Sequence, residues 1–555
     1  MSKKDPKKIS RTAASQKKHQ MESGALEARG GALSLTAEIF ALILLAVYPL
    51  YLNSDRYIAL VKHKTNFLWM TSLILTVALA LVALAFLGIA KSHDKTRPVL
   101  YAADWAAVAY LACIILSCVT SPLTSDKLGA GRFEYFMWGN ANPSNPRLEG
   151  LVTWSCYLLA YFAVSRLFRP RERDWAIFAV SANLLALIGF FQFIGHDFLD
   201  LYPYEREGMA YPYGWIDIHF RSTLGNVDVL SAYVGIVIPF FMVLYCKGAG
   251  KLRFIYLSAV VTNFMLMILG GADGGKVGVL AALTAVFVLV LTDRTALTRF
   301  ASALGLSSLS CLLITAAQDA REVYNSTGFL HRMTWGGHML SSVWFLAGLA
   351  GLAIAAVIRF APIPFNPKAY RLAGLIASAV IVVGGVAGLE IVGARAGSDQ
   401  SVVYQARQVM HGRMEDHYGS GRGFVWRRTM TVIAERPLLG TGPDTFYNAF
   451  WSFQREAMDV TGTPFDKAHN DLLEIAVCSG LLGLAAYLAL LGGVASRAVS
   501  KLQKSPWMLA ASVAAFGFFV QSLFGVSVPL VTPLFYVMLG TIISLSKNGV
   551  KSAQS

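Results

Sequence analysis

The chain has little charge and little cysteine, and both deficits narrow the classes of protein that it can be. Only 15% of its 555 residues are charged and 55% are hydrophobic, which excludes a soluble enzyme and is typical of a polytopic membrane protein. Neither a disulfide framework nor a cysteine-based zinc site is expected, because every cysteine falls within an apolar run. We predict that all six are small buried residues: Cys113, Cys118, Cys156, Cys246, Cys311 and Cys478.

Signals for export, internal repetition and nucleic-acid binding are also missing. We expect no cleavable signal peptide, because the first 32 residues are polar and basic and the first apolar run is followed by others. No internal repeat marks an inverted-repeat transporter. The net charge is +15, but Lys and Arg cluster between apolar runs. This placement indicates contact with lipid headgroups and a role in membrane topology rather than nucleic-acid binding.

Long apolar segments are abundant, and they predict an all-α polytopic membrane protein with about 12–14 transmembrane helices. Outside the longest loop, Lys and Arg concentrate in alternate connections, so the positive-inside rule predicts that both termini are cytoplasmic. The fourteen candidate segments lie at 33–52, 67–90, 99–119, 151–169, 175–195, 227–246, 253–271, 276–292, 300–317, 339–359, 372–393, 471–496, 507–526 and 527–546.

Polar connections between these segments predict one large extracytoplasmic loop. Its periodic stretches at 401–414 and 426–434 indicate short interfacial helices rather than disorder. A loop of this length in a compact protein is usually functional. The predicted order is a basic cytoplasmic tail 1–32, helices 1–11 in 33–393 with outer loops 120–150 and 196–226, the catalytic loop 394–470, C-terminal helices 471–546 and a cytoplasmic tail 547–555.

Three short motifs stand in the large loop and at its return to the membrane. They read Gly421-Arg422-Gly423-Phe424-Val425-Trp426, then Pro437-Leu438-Leu439-Gly440-Thr441-Gly442-Pro443-Asp444-Thr445-Phe446, then His469-Asn470-Asp471-Leu472-Leu473-Glu474. Arginine offers paired donors to phosphate oxygens. Histidine, with a reference pKa of about 6.5, can accept a proton near neutral pH.

These motifs resemble the O-antigen ligase and polymerase family of bacterial envelope proteins. That family has a large outer loop with an Arg-x-x-x-Trp segment, a Pro-Leu-x-Gly-x-Gly-x-x-x-Phe segment and a His-Asn pair that opens the next transmembrane helix. Upstream, Arg221-Ser222-Thr223-Leu224-Gly225-Asn226 looks like the family's Arg-x-x-x-Gly-Asn element, and Arg147-Leu148-Glu149-Gly150-Leu151 resembles its Arg-x-x-Gly-Leu element. One site departs from the pattern: where the family often has Ser-Arg-Gly, this chain has Gly274-Gly275-Lys276.

The resemblance implies a glycosyltransferase that moves a glycan from undecaprenyl pyrophosphate to an acceptor hydroxyl at the outer face of the bacterial cytoplasmic membrane. It implies three catalytic residues: His469 as base, with Arg422 and Arg221 at the pyrophosphate. Substrate binding is expected from Arg147, Asn470, Glu474, Trp426 and Lys276. Inversion at the anomeric carbon and no metal or other cofactor are expected. The partners would be the lipid-linked donor, a glycan, lipid or protein acceptor, and membrane lipids.

Structural roles remain open for the same residues. The arginines can be interfacial anchors, His469 or Asn470 can cap a helix, and Trp426 can belong to an interfacial belt. The aromatic and amide residues of loops 120–150 and 196–226 suit either carbohydrate or the bilayer surface. His411 and His417, with Glu415 and Asp416 between them, are predicted to be a solvated face rather than a metal site.

Two functions of other classes remain as alternatives. A transporter or flippase of envelope glycan intermediates would also have many spans, although charges within the spans are sparse: Glu38, Asp104 and Glu390 are the main ones. A scaffold of an envelope-assembly complex is a third class. Within the glycosyltransferase hypothesis, the sequence does not choose between a polymerase and a ligase, and it identifies neither the sugar nor the acceptor.

Overall fold

The computed structural model describes residues 28–55, 57, 59–85, 100–141, 147–194, 197–199, 201, 221–270, 273–321, 337–361, 366–395, 402–502 and 505–547. Of the predicted tail 1–32, residues 1–27 lie outside this part of the chain. The same is true of 548–555, of Asn142 and Asn145 in the first outer loop, and of the aromatic stretch 202–220 in the second. The described residues contain helices and no strand, which confirms the all-α fold.

Twenty α-helices follow one another in the described ranges. They are α1 Ala28–Leu50, α2 Leu60–Ala85, α3 Ala102–Thr120, α4 Ser125–Leu128, α5 Arg132–Trp138, α6 Leu151–Leu167, α7 Glu172–Phe193, α8 Val227–Lys247, α9 Arg253–Gly270, α10 Asp273–Val290, α11 Arg294–Arg321, α12 Gly337–Phe360, α13 Pro367–Arg395, α14 Val402–Met410, α15 Tyr418–Glu435, α16 Phe446–Ala449, α17 Gln454–Thr461, α18 Asp471–Val499, α19 Pro506–Ser522 and α20 Thr532–Lys547.

Each predicted apolar segment coincides with one of the long helices. Eight of the described helices are long and apolar enough to cross a membrane: α1, α2, α3, α7, α8, α9, α18 and, over Arg294–Ile314, α11. Four shorter apolar helices lie in α6, α10, α12 and α19. The C-terminal apolar stretch is two separate helices, α19 and α20, as its predicted division requires.

Helix α2 starts earlier than hydropathy indicates because its one buried lysine is satisfied by backbone carbonyls. The Lys64 ammonium donates to the carbonyls of Tyr48 (3.2 Å) and Pro49 (2.7 Å) at the end of α1. The last carbonyls of a helix lack partners within the helix, so a cation placed there satisfies them. The contact ties the start of α2 to the end of α1.

Helix α8 forms the centre of the bundle. Its apolar stretch is entirely buried, and it packs against α9, α10 and α19. A Cβ atom on Gly517 of α19 would lie 2.4 Å from the carbonyl oxygen of Gly235 in α8. Small residues at such a crossing let two helix backbones approach closely, which is the usual means of packing helices in a membrane.

Helices α3 and α18 pack antiparallel and bring the start of α18 to the end of the bundle where α3 stops. A Cβ atom on Gly493 would touch the backbone of Ala103, whereas Gly483 faces Cys113. The long loop 394–470 folds onto this end around an apolar cluster of its own, which includes Phe424, Phe446, Phe450, Phe465 and, from α18, Val477. The loop is therefore packed against the helices, with the short helices α14 to α17 inside it.

Candidate active site

The Pro-Leu-Leu-Gly-Thr-Gly motif docks onto a break in α18. Gly480 leaves the helical conformation (φ 72°, ψ −179°), so backbone groups around it are free to bond outside the helix. Leu481 N donates to Pro437 O (2.7 Å), and Thr441 N donates to Val477 O (2.9 Å). These bonds fasten the loop to the first turns of α18.

Gly480→Ala is expected to loosen this docking. The conformation at Gly480 is essentially restricted to glycine, and forcing another residue into it costs about 1–3 kcal/mol. The new Cβ atom would also lie 2.1 Å from Leu438 O. Thermal unfolding of the purified protein should show a lower midpoint. Gly492→Ala is the matched control in the same helix, because nothing lies within 4 Å of a Cβ atom there. Equal midpoints for the two variants would contradict the docking role.

His469 stands between this docked loop and α18 in a left-handed backbone conformation (φ 51°). Both backbone polar groups of the preceding residue, Ala468, are hydrogen-bonded to side chains. Ala468 N donates to Glu474 Oε2 (2.9 Å), and Trp426 Nε1 donates to Ala468 O (3.0 Å). Non-glycine residues rarely adopt positive φ, and such a conformation persists when its surroundings hold it. Glu474 and Trp426 therefore position the backbone that carries the imidazole.

The imidazole of His469 is half-buried, and neither ring nitrogen bonds to a described residue; Nδ1 is buried without a partner there. The ring meets Phe465 edge to face, with 6.1 Å between the ring centroids. Burial and, next, the charge of Arg422 lower the pKa of His469 below its usual 6.5, and Asp228 and Asp466 oppose this shift. The ring is therefore neutral at pH 7 and able to accept a proton.

A buried charge cluster is centred on Lys467, two residues before this histidine in the sequence. Lys467 Nζ is 2.7 Å from Glu149 Oε2, 3.3 Å from Glu474 Oε1 and 3.7 Å from Asp444 Oδ1. The side chains of Lys467 and Glu149 are each only 4% exposed. Tyr157 OH also donates to Glu149 Oε1 (3.2 Å). One ammonium thus joins three chain segments that are distant in sequence.

The cluster holds more acids than cations, and burial raises the pKa values of its carboxyls Glu149 and Asp444. Burial raises the pKa of Glu149 to about 7, against the pull of Lys467. Burial also raises the pKa of Asp444, again opposed by Lys467. Burial acts to lower the pKa of Lys467, but Glu149, Glu474 and Asp444 outweigh it and raise that pKa well above its usual range. The lysine stays charged, whereas the carboxyls compete for its single charge.

A cavity of about 20 Å³ borders the cluster and is lined by residues that include Glu149, Asp444, Lys467 and Glu474. It has room for about one water-sized molecule, which is far less than a sugar ring requires. Glu474 is held by Lys467 and by the backbone beside His469. Both oxygens of Glu474 therefore have partners within the protein, whereas the sequence predicts that this residue binds substrate.

The predicted arginines differ in how they are paired. Arg147 forms an ion pair with Asp466, which lies three residues before His469 in the sequence. Arg147 Nε donates to this carboxylate at 2.6 Å. Arg422 donates to Gly419 O (2.8 Å), and Arg221 donates to Gly225 O (3.4 Å). In the described part of the chain, Arg221 and Arg422 have no carboxylate partner, and each has a buried Nε without a hydrogen bond. Neither guanidinium charge is therefore neutralised by a described carboxylate.

Glycines on both sides of Arg422 let its helix pass close to neighbouring chain. A Cβ atom on Gly421 (φ 84°) would lie 2.8 Å from Phe465, and one on Gly423 would lie 1.9 Å from Glu415 O. Tight packing on both sides holds Arg422 near His469, whose pKa responds to its charge. Close packing against Phe465 and Glu415 therefore explains why glycines flank Arg422.

The other predicted site residues lie at the same end of the bundle. Asn470 caps α18 by accepting from Leu472 N (3.0 Å), and its Nδ2 donates to Leu523 O (3.2 Å). Trp426 lies against Phe524, with ring centroids 6.3 Å apart. Lys276 is in the first turn of α10, where a Cβ atom on Gly274 would be 3.5 Å from Phe524. No contact joins Arg221 to His469 among the described residues, although Asp228 of the helix after Arg221 acts on the histidine.

Lys467 and Asp466 were missed by sequence reasoning, and Glu149 was noted only as part of a motif. Each lies within five residues of a predicted site residue, and a charged residue beside an apolar span is a usable signal of function. No group of three or more His, Cys, Asp or Glu side chains in the described ranges is arranged to hold a metal ion.

The fold and site together define a multi-pass membrane protein with a polar loop docked on its helix bundle. Residues 340–488 match the model of a family described as O-antigen ligase. This match confirms the predicted resemblance to the O-antigen ligase and polymerase family and supports glycan transfer of ligase or polymerase type at a membrane. It includes Arg422, Trp426, His469, Asn470 and Glu474; Arg147, Arg221 and Lys276 lie outside it. A comparison with curated proteins found no match.

Proposed function

We propose that this protein transfers or polymerises a glycan from undecaprenyl pyrophosphate onto an acceptor hydroxyl. The observation that carries the proposal is the environment of His469: its backbone is clamped by Glu474 and Trp426, and its ring is neutral and has no hydrogen bond to a described residue. A positioned base with these properties is what activation of a hydroxyl group requires.

In the proposed reaction, the acceptor oxygen attacks the anomeric carbon from the side opposite the pyrophosphate. His469 accepts the hydroxyl proton as the new glycosidic bond forms. The bond between the anomeric carbon and the pyrophosphate oxygen breaks, and undecaprenyl pyrophosphate leaves with the bonding electrons. This displacement inverts the configuration at the anomeric carbon.

Arg422 and Arg221 are the proposed partners of the pyrophosphate. Both lack a carboxylate partner among the described residues. The negative charge that develops on the leaving pyrophosphate would provide an anionic partner for them. After burial, the charge of Arg422 is the next largest cause that lowers the pKa of His469. Arg147 acts beside them but is held by Asp466, so its role is to shape the binding surface rather than to meet the leaving group first.

The remaining predicted residues complete the substrate surface. Lys276 at the start of α10 and the Trp426 ring border the same region near Phe524. Asn470 fixes the start of α18 through its cap. We further propose that this end of the bundle faces the outside of the bacterial cytoplasmic membrane and that both termini are cytoplasmic, so that the loop 394–470 meets a donor whose glycan is already outside.

The test is the glycan profile of cells that lack the protein, with and without the wild-type gene restored. Accumulation of single lipid-linked repeats with loss of long chains identifies a polymerase. Accumulation of long lipid-linked chains that do not reach their acceptor identifies a ligase. An unchanged profile would overturn the proposal. Uptake or flipping of lipid-linked glycan by the purified protein in liposomes, without transfer, would favour a transporter.

The pH dependence of transfer gives a further expected result. A base is inactive when protonated, so the rate falls as the pH decreases through the pKa of His469. Because burial and Arg422 lower this pKa, the acid limb should lie below pH 6.5. A pH–rate profile of the purified wild-type protein measures this limb. An acid limb above pH 6.5 would be inconsistent with His469 as the base in this environment.

A further inference from the structure

A second charge cluster lies at the opposite end of the bundle from His469. It gathers around Tyr101, just before α3, whereas the active-site end of α3 is Thr120. At 1.5 Å per residue the two ends are about 28 Å apart. The cluster includes the ends of α6, α18 and α20, and the proposed reaction does not use it.

Three cations surround the ring of Tyr101. The Arg497 guanidinium lies 3.9 Å from the ring centroid, Lys547 Nζ lies 5.7 Å from it, and the Arg166 guanidinium lies 5.9 Å from it. Lys547 Nζ also donates to Ser165 O (2.8 Å). Cations at these distances are attracted by the face of the ring but repel one another.

Only one carboxylate accompanies these three cations in the described part of the chain. Asp104 pairs with Arg166, accepts from Tyr101 N (2.6 Å) and accepts from Tyr161 OH (3.0 Å), so both its oxygens are occupied. Arg497 and Lys547 form no ion pair with any described carboxylate. Three positive charges against one negative charge leave an excess that an anion would neutralise.

Exposed apolar side chains next to the cluster indicate what kind of anion fits. Leu100 is 44% exposed, Trp105 is 62% exposed and Val499 is 72% exposed. The exposed face of α3 continues from Trp105 through Val108 and Leu116. A soluble anion would need only the cations. A diacyl lipid would place its phosphate at the cations and its chains along the apolar face, with Trp105 at the level of the headgroups.

We propose that Arg166, Arg497 and Lys547 form a binding site for the headgroup phosphate of an anionic phospholipid. The site is independent of the proposed glycan transfer, because it lies at the other end of the helices and uses none of the catalytic residues. A phosphate bound there would bridge α6, α18 and α20 beside Tyr101, in addition to the contacts Lys547–Ser165 and Arg166–Asp104 that already join helices at this end.

Lipid titrations of the full-length protein in detergent test this site. Phosphatidylglycerol should bind and raise the melting midpoint, whereas phosphatidylcholine with the same chains should not. Each cation near a membrane surface contributes about a fivefold change in affinity for anionic lipid, so Arg497→Gln should weaken binding of phosphatidylglycerol by about fivefold. Lys251→Gln, an exposed position at the same end of the bundle, should leave the affinity unchanged.

Two measurements keep the test independent of whether a variant folds. Binding of phosphatidylglycerol to the wild-type protein should weaken as the salt concentration rises, and Arg497→Lys should retain most of the affinity because it retains the charge. Equal binding of the two lipids, or equal affinity of Arg497→Gln and wild type, would overturn the proposal. If inorganic phosphate raised the melting midpoint as much as phosphatidylglycerol does, the site would bind soluble anions and the assignment to a lipid would be overturned.

Discussion

His469→Ala should reduce glycan transfer by about 10²–10⁴-fold, the usual contribution of a positioned general base. The alanine removes the imidazole but keeps the backbone contacts of Ala468 with Glu474 and Trp426, so the protein should still accumulate in the membrane. Transfer by purified protein, with membrane levels measured in parallel, provides the readout. Glycan profiles of cells carrying the variant should then resemble those of cells without the protein.

The matched control for this substitution is His411→Ala. His411 lies in the same loop but is half-exposed and pairs with Glu390 through its Nε2 (2.9 Å), away from the docked segment. Transfer should be unchanged in this variant. If His469→Ala retained wild-type transfer, another group would have to deprotonate the acceptor. If both variants lost activity equally, the loop would tolerate no histidine substitution and the assignment of the base would lose its support.

Lys467→Met should be the most destabilising of the predicted substitutions. It leaves Glu149, Asp444 and Glu474 buried around a missing cation, and removal of one partner of a buried ion pair typically costs about 3–5 kcal/mol. Thermal or denaturant unfolding of the purified protein measures this loss. Lys127→Met is the control, because this lysine is exposed at the same end of the bundle and its side chain makes no contact with the cluster.

Two further measurements separate lost charge balance from lost packing. Glu149→Gln in the Lys467→Met background should recover part of the stability, because it removes one uncompensated charge; the double-mutant cycle quantifies the coupling. The loss should also shrink as the pH falls. A carboxyl with a raised folded-state pKa, such as Glu149 at about 7, takes up protons in the folded state, so protonation relieves the penalty. A loss independent of pH would point to packing alone.

The residues of the candidate site could be selected from the sequence because their motifs are local. Gly421-Arg422-Gly423, the Pro437–Phe446 segment and His469-Asn470 each occupy a short stretch, and all of them meet at one end of the bundle. The roles within the site were less predictable. Trp426 was open to sugar stacking or membrane anchoring, but its indole donates to the carbonyl before His469. A hydrogen bond across 42 residues leaves no trace in local periodicity.

Hydropathy by itself determined the all-α class and the positions of the long helices, since burial of apolar side chains in a membrane depends on local composition. It could not extend α2 back through Lys64 to Leu60, because the carbonyls that satisfy this lysine belong to α1. Only the tertiary structure decided the Lys467 cluster, whose closest contact spans 318 residues, and the docking of the loop at Gly480. Charge pairs and close backbone approaches depend on which chain segments meet, and that is decided by packing of the whole bundle.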